Sequence, residues 1–352
     1  MPEESVFNPA ALERPLGESS GETQIDETRA ETSLRPASLG EFIGQERIVR
    51  DLRVAVQAAQ KRQHAPDHVL FSGPPGLGKT SLARVLAEEM GSHLHRTIGP
   101  TLETPKDLVG LLIHLRPGDV LFIDEIHRVP TKVEEYLYTA MEDFAVDLII
   151  GEGADARIHP LTLPPFTLVG ATTREGLLTA PFRARFGLFE RLEPYPTEDL
   201  VRILSRSAAL LGMDLTVEAA THLASRSRGT PRVANRLLRR CRDEASVAGH
   251  SQVGVELAHA TLENLGIDEA GLEAMDRRIL HCLAERSGGP VAIKTIAAVV
   301  DEKEDTLEGV FEPHLLRHGL LEKTARGRVL TARGYDALGI EPGSGLGTLF
   351  DA

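Results

Sequence analysis

A chain of 352 residues exceeds one ordinary domain, and its 41% hydrophobic content suffices for two or three packed cores. Trp is absent and aromatics make up 4%, so those cores rest on Leu, Val, Ile and Ala. No apolar run approaches the roughly 20 residues of a bilayer span, and a formal net charge of -13 excludes a surface coated in cations for nucleic acid.

Charge is unevenly spread. Residues 1–34 hold Glu3, Glu4, Glu13, Glu18, Glu22, Asp26, Glu27 and Glu31 against Arg14 and Arg29, without hydrophobic periodicity. A disordered acidic tail over 1–32 is expected. It has neither the basic start nor the apolar stretch of a secretory leader, so a cytoplasmic protein is expected. Cys241 and Cys282 stand far apart without metal-ligand spacing, and both read as reduced helix residues.

The first strong element is a buried strand over His68 to Ser72, followed by a helix from Thr80 to Met90 with Leu82, Val85, Leu86 and Met90 on one face. Between them, Gly73-Pro74-Pro75-Gly76-Leu77-Gly78-Lys79-Thr80 fits the phosphate-cradling pattern G-x-x-x-x-G-K-[ST] at every fixed position. Average residue usage produces that match by accident in on the order of one chain in a hundred of this length. Loop N–H groups would face phosphates, Lys79 would reach the β- and γ-phosphates, and Thr80 would give its hydroxyl to Mg²⁺.

A strand over Leu94 to Ile98 and a helix including Lys106 to Leu112 come next. Asp119 to Glu125 then reads as a buried strand that carries two carboxylates to its C-terminal edge, where ligands sit in open α/β sheets. Asp124 is suited to holding Mg²⁺ and Glu125 to polarising an attacking water. The run 146–163 resembles a β-hairpin with a Gly-rich tip, whose Ile and Leu serve either a partner surface or core packing. Phe166 to Thr173 is a further buried strand, ending in two hydroxyls and Arg174. Pro181 to Gly187 sets Arg183 and Arg185 beside aromatics.

Beyond Pro194 and Pro196 the sequence turns to amphipathic helices without strands, over Glu198 to Leu211, Val217 to Ser225 and Pro231 to Ala248. Thr230 is placed to cap the last of these, and Arg232 sits at its N-terminus, where a cation opposes the helix dipole. An anionic ligand would explain that placement; a surface arginine remains the alternative. From Leu272 three helices, ending with 305–318, precede a basic hairpin, and the stretch 317–333 holds Arg317, Lys323, Arg326, Arg328 and Arg333 against Glu322 alone. This is the outline of a winged helix-turn-helix, a scaffold for DNA or for protein.

These motifs in this order resemble the RuvB family of AAA+ motors, which drive branch migration of Holliday junctions. The likeness rests on Leu34-Arg35-Pro36, Ile43-Gly44-Gln45-Glu46, the phosphate loop, Leu121 to Arg128, Gly170 to Arg174, Arg183 to Gly187, Gly229 to Arg232, and Arg326-Gly327-Arg328, within about 33–335. It implies an α/β RecA-like AAA+ ATPase domain (33–195), a helical lid (196–270), a winged helix (271–340) and a flexible tail (341–352). It further implies ATP and Mg²⁺ as ligands, with nucleotide contacts from Leu34, Arg35, Ile43, Gly76, Gly78, Lys79, Thr80, Ser81, Glu142, Asp143, Phe144, Arg185, Tyr195 and Arg232. By the same resemblance Thr173 is the first sensor, Arg185 an arginine finger acting in trans, and Lys323, Arg326 and Arg328 the DNA contacts. Homohexameric rings on Holliday-junction and duplex DNA are implied, with RuvA docking on the 146–163 hairpin and RuvC in a resolving complex. A replication-initiator-like ATP switch and a clamp-loader-like remodeller are the rival readings. Arg185, the hairpin and the motif order favour the motor over the first, and the terminal wing counts against the second.

Overall fold

A computed structural model of the chain describes residues 34–150, 157–287 and 289–341. The acidic tail expected over 1–32 and all but Glu341 of the C-terminal tail lie outside them. Leu34 and Arg35 belong to a unit spanning Met1–Arg35, and the second unit is Pro36–Ala352.

Strands β1 (Val69–Ser72), β3 (Val120–Asp124) and β6 (Thr167–Thr172) are apolar almost throughout, as strands covered on both faces must be. With β2 (Leu94–Ile98) and β7 (Leu188–Arg191) they form one parallel sheet, ordered β2-β3-β6-β1-β7. Alternation of side chains sorts them into two cores. Val69, Phe71, Val120, Phe122 and Val169 pack with α1 (Glu46–Arg62) and α2 (Lys79–Met90), whereas Leu70, Leu121, Ile123 and Leu168 pack with α3 (Pro105–Leu112) and α4 (Thr131–Glu142). At the start of α3, Thr104 and Asp107 cap each other reciprocally.

The hairpin expected over 146–163 is present as β4 (Ala145–Ile150) and β5 (Arg157–Thr162), antiparallel with Ala145 opposite Thr162. Val146 is buried in the second core and Leu148 and Leu161 pack against it, so these apolar residues serve the core. The Gly-rich tip over 151–156 lies outside the described residues.

After the short α5 (Ala180–Arg183) and β7, four helices follow: α6 (Thr197–Leu210), α7 (Val217–Ser225), α8 (Pro231–Ala248) and α9 (Val255–Asn264). Their apolar faces join the α1/α2 core through Leu200, Leu204, Leu223 and Leu237. The expectation of a lid without strands needs correcting. Asp214–Leu215 (β8) pairs in parallel with Gln252–Val253 (β9), which satisfies loop backbone groups between helices.

The winged helix has its own core around Leu280, Leu283, Leu315 and Leu330. It contains α10 (Ala274–Ala284), α11 (Ile293–Val300), a helical stretch α12 (304–317), the hairpin β10 (Leu321–Thr324) with β11 (Gly327–Leu330), and α13 (Ala332–Leu338). The single helix expected over 305–318 is interrupted by a π turn at Leu307–Phe311. Pro313 has no N–H for the Gly309 carbonyl, so the ladder widens there. Asp276, wholly buried, reaches back to the Glu273 N–H at 2.8 Å and receives the Arg228 guanidinium from the lid. Removing one partner of such a pair costs about 3–5 kcal/mol. Toward the sheet, by contrast, Arg174 meets Asp305 in an exposed pair, a class worth about 0–1 kcal/mol.

Cys241 and Cys282 are buried free thiols. Among the described residues no helix is long and apolar enough to cross a membrane.

His68 ties three elements together: its Nδ1 accepts the Leu168 N–H at 2.9 Å while Nε2–H donates to the Met141 carbonyl at 3.1 Å. Burial holds its pKa below the ordinary value. The native state therefore binds fewer protons than the unfolded chain below about pH 6.5, and stability is lost as pH falls from there through the depressed native pKa. Urea unfolding across this range will show that loss, and His68→Gln, which keeps a donor and an acceptor but no titration, will show less of it.

Candidate active site

The strand order places the C-terminal ends of β3, β6 and β1 side by side, each about 4.8 Å from the next. Asp124, the Thr172-Thr173 pair and the phosphate loop are therefore neighbours, although some 50 residues separate each from the next along the chain.

Lys79 opens α2 and is buried, its Nζ donating to the carbonyls of Gly73 at 2.7 Å and Pro74 at 2.9 Å. Desolvation pulls its pKa down to about 8, against the opposing influence of Asp124 and Glu125 and with Arg232 adding to the fall. Thr80 and Ser81 follow, half-buried, on the first turn of α2. Gly76 has φ +79°, and a Cβ there would meet Thr230 Cγ2 at 2.7 Å and Arg232 Cβ at 3.1 Å, so the start of α8 lies directly over the loop. Arg232 is exposed there, its backbone N–H 3.4 Å from the Gly76 carbonyl. Thr230 does not cap α8 as expected: its hydroxyl turns toward the Arg228 carbonyl at 3.4 Å.

Tyr195 is buried beneath the loop and donates from its hydroxyl to the Leu77 carbonyl at 3.2 Å, while its N–H donates to the Gly229 carbonyl at 2.9 Å. Phe42 lies 3.3 Å from the position a Cβ on Gly78 would take, and Ile43 is half-buried beside it in sequence.

Glu125 has left-handed backbone (φ 49°, ψ 46°), a conformation costing a non-glycine residue about 1–2 kcal/mol. Its carboxylate is held from two sides. Thr173 Oγ1 donates to Oε2 at 3.0 Å, and His127 Nδ1 lies 3.2 Å from the same oxygen. As the Nδ1–H tautomer, His127 also donates to Thr172 Oγ1 at 2.9 Å, and Thr172 accepts the Arg174 N–H at 3.0 Å. Burial depresses the His127 pKa despite Glu125, so near neutral pH the ring orients Glu125 without cancelling its charge. Thr173, and not Thr172, touches Glu125. His127 was not legible as a functional residue, because nothing in its spacing sets it apart.

Arg185 lies elsewhere. It precedes β7, at the opposite edge of the sheet, a strand length of about 13 Å from the phosphate loop. Its guanidinium stacks 4.2 Å over the Tyr138 ring, donates to the Pro181 carbonyl at 2.8 Å, and pairs through Nε with Glu142 at 3.1 Å. Glu142, Asp143 and Phe144 share that edge: Phe144 packs on His68 and Phe166, and none of the three is brought to this chain's own loop. Tyr138, itself tied by its hydroxyl to Thr179 at 3.0 Å and to Glu134, gave no sequence signal for this role.

The wing requires a correction. Arg328 is buried, with its guanidinium on Glu312 and, at 2.8 Å, on Glu308, so it braces the hairpin against α12 and is not presented to a phosphate. Lys323 is exposed but paired with Glu308 at 3.3 Å and Glu312 at 3.6 Å. Arg326 is exposed at the turn.

Three family models cover nearly the whole of this arrangement: the Holliday junction DNA helicase RuvB P-loop domain matches residues 34–192, the RuvB AAA lid domain 195–268, and the RuvB C-terminal winged helix domain 269–339. The chain belongs to the RuvB family. The "Holliday junction branch migration complex subunit RuvB" of Myxococcus xanthus is 54% identical over 318 residues, 90% of this chain and 93% of its own. The protein of that name from Paramagnetospirillum magneticum is 54% identical over 314 residues, 89% of this chain and 90% of its own. Among solved structures, the Thermotoga maritima RuvB Holliday junction branch migration motor superposes with a TM-score of 0.81 at 45% identity, covering 88% of this chain and 99% of that one.

The donor set fits a magnesium nucleotide. Thr80 on the first turn of α2 offers a hydroxyl and Asp124 at the end of β3 a carboxylate, and Mg²⁺ in nucleotide sites takes one or two carboxylates and the phosphates themselves.

Gly99 backs the strained turn: a Cβ there would collide with the Glu125 carbonyl oxygen and lie 3.3 Å from the Val129 nitrogen. Gly99→Ala will displace Glu125 without touching the phosphate loop. Steady-state kinetics should show turnover down on the order of tenfold or more, while equilibrium titration shows nucleotide affinity changed by no more than about threefold.

Proposed function

We propose that this chain is the ATP-driven motor subunit of a branch-migration complex, working in the cytoplasm as homohexameric rings on Holliday-junction and duplex DNA. The observation that carries the reading is the convergence of Lys79, Glu125 and Thr173 at one sheet edge, with Arg185 preorganised at the other. RuvA docking on the hairpin and RuvC in a resolving complex follow from family membership alone.

In this reading Lys79 pairs with the β- and γ-phosphates, and the loop N–H groups with Gly76 and Gly78 line the phosphate path. Arg232 approaches from the lid, and Ile43 and Tyr195 form the adenine side. The Thr80 hydroxyl and Asp124 would hold Mg²⁺, which when bound offsets phosphate charge. Glu125 orients the attacking water and accepts its proton, while Thr173 senses the γ-phosphate through the oxygen it shares with Glu125. Arg185 cannot cross its own sheet, so its partner phosphate is on a neighbouring copy, with Glu142 to Phe144 entering the same interface.

A fluorescent four-way junction with and without RuvA tests the activity: ATP-dependent conversion to duplex products supports it, and ATP turnover without any conversion would sink it. Glu125→Gln should bind ATP yet scarcely hydrolyse it, and Arg185→Ala should lose roughly 10³-fold in turnover. Mixed rings of the two inactive proteins should regain hydrolysis, because some interfaces then pair an intact base with an intact finger; no recovery in rings shown to be mixed counts against action in trans.

The two wing arginines should separate. Arg326→Ala should weaken duplex binding and flatten the salt dependence by about one unit, as for a lost phosphate contact. Arg328→Ala instead leaves the buried Glu312 with only Lys323 at 3.6 Å, and should lower wing stability by up to about 3 kcal/mol in thermal unfolding. A stable Arg328→Ala protein with a flattened salt slope would return Arg328 to the DNA-contact set.

A further inference from the structure

The tip of β6 delivers consecutive side chains to different destinations. Thr172 holds His127, Thr173 holds Glu125, and Arg174 reaches out of the sheet domain to the wing, its guanidinium 3.0 Å from Asp305 and 3.8 Å from Glu308. The Arg174 N–H donates to Thr172 Oγ1 at 3.0 Å, so its main chain is fixed to the hydroxyl that orients His127. On the wing side, Glu308 also takes Arg328 at 2.8 Å and Lys323 at 3.3 Å, the residues at the base of the basic hairpin. Hydrogen bonds and ion pairs thus run without a break from Glu125 to the hairpin.

The contacts that hold the wing differ in kind. Its pair with the lid, Arg228 with Asp276, is buried, and Arg317 adds a bond to the Arg228 carbonyl at 3.0 Å. Its pair with the sheet domain is open to water, the Asp305 side chain being 82% exposed. A buried pair resists separation and an exposed one parts readily. A shift of the lid against the sheet would therefore carry the wing along and open the Arg174 contact first.

We propose that Arg174 is a positioning residue that latches the wing to the nucleotide site, so that the state of Glu125 and Thr173 sets the grip of the hairpin on duplex DNA. The inference rests on the ATP-driven motor reading. A γ-phosphate that draws on Thr173 moves the adjoining Arg174 backbone; DNA on the hairpin draws on Glu308 from the other end. Such coupling is reciprocal for binding.

The test is a set of affinities for a fluorescent duplex at one salt concentration, in ADP and in a non-hydrolysable ATP analogue, using full-length protein. Wild type is expected to differ between the two nucleotides by about three- to fivefold, the size an exposed pair can carry. Arg174→Gln should bring the ratio close to one, Asp305→Asn, which leaves only the 3.8 Å approach to Glu308, should bring it part of the way, and the exchanged pair, Arg174→Asp with Asp305→Arg, should restore it. In wild type, duplex should change the affinity for the ATP analogue relative to that for ADP by the same factor. Basal ATPase of Asp305→Asn should be unchanged, a readout that separates lost coupling from a damaged site. A wild-type ratio of one, or an Asp305→Asn ratio equal to a wild-type ratio other than one, overturns the latch while leaving the motor reading standing. Wild-type protein that binds no duplex in either nucleotide overturns both.

Discussion

A lysine charge buried just beyond the end of β1 is the constraint around which the site is built. Lys79 is nearly out of solvent, and its pKa falls to about 8 although two carboxylates lie nearby. Burying a cation is unfavourable unless negative charge accompanies it. The loop carbonyls supply part of that compensation, Asp124 and Glu125 another part, and Arg232 works against both. A triphosphate would add negative charge beside both cations. The packing of Leu77, Leu82, Phe42 and Tyr195 beneath the loop keeps water out, so the charges act in a low dielectric.

In the proposed mechanism the chemistry is divided between the two edges of one sheet. At the C-terminal edge Glu125 is strained into left-handed backbone and then held by Thr173 and His127, an arrangement in which surrounding contacts overdetermine an otherwise unfavourable conformation. At the N-terminal edge Arg185 is fixed by a ring face, a carbonyl and a carboxylate before any second molecule arrives. A group held this way loses little freedom when it meets an anion. Neither edge can serve the other within one chain, which is the physical argument for assembly.

In the wing, counting cations overstates the surface they make. The hairpin region is basic by composition, yet Arg328 is spent on Glu312 and Glu308, and Lys323 shares those carboxylates. These pairs give the hairpin a fixed attitude on α12, leaving Arg326 at the exposed turn. The same carboxylate that braces Arg328 faces Arg174, so the wing's internal rigidity and its attachment to the sheet domain share one residue.

The local facts were legible in the sequence. The phosphate loop, the acid pair ending β3, the hydroxyl pair ending β6 and the helices of lid and wing follow from apolar periodicity and turn chemistry, which are properties of neighbouring residues. The resemblance to the RuvB family supplied roles that spacing alone left open. Tertiary structure decided what depends on residues far apart in the chain: that β6 lies between β1 and β3, that Thr173 rather than Thr172 meets Glu125, that His127 lies against Glu125 and Tyr138 against Arg185, and that Arg328 is buried while Arg326 is not. Adjacent hydroxyls, or two arginines flanking a glycine, are nearly equivalent in sequence. They become different when β-strand alternation turns one toward the core and its neighbour away, and when a distant carboxylate claims one of them.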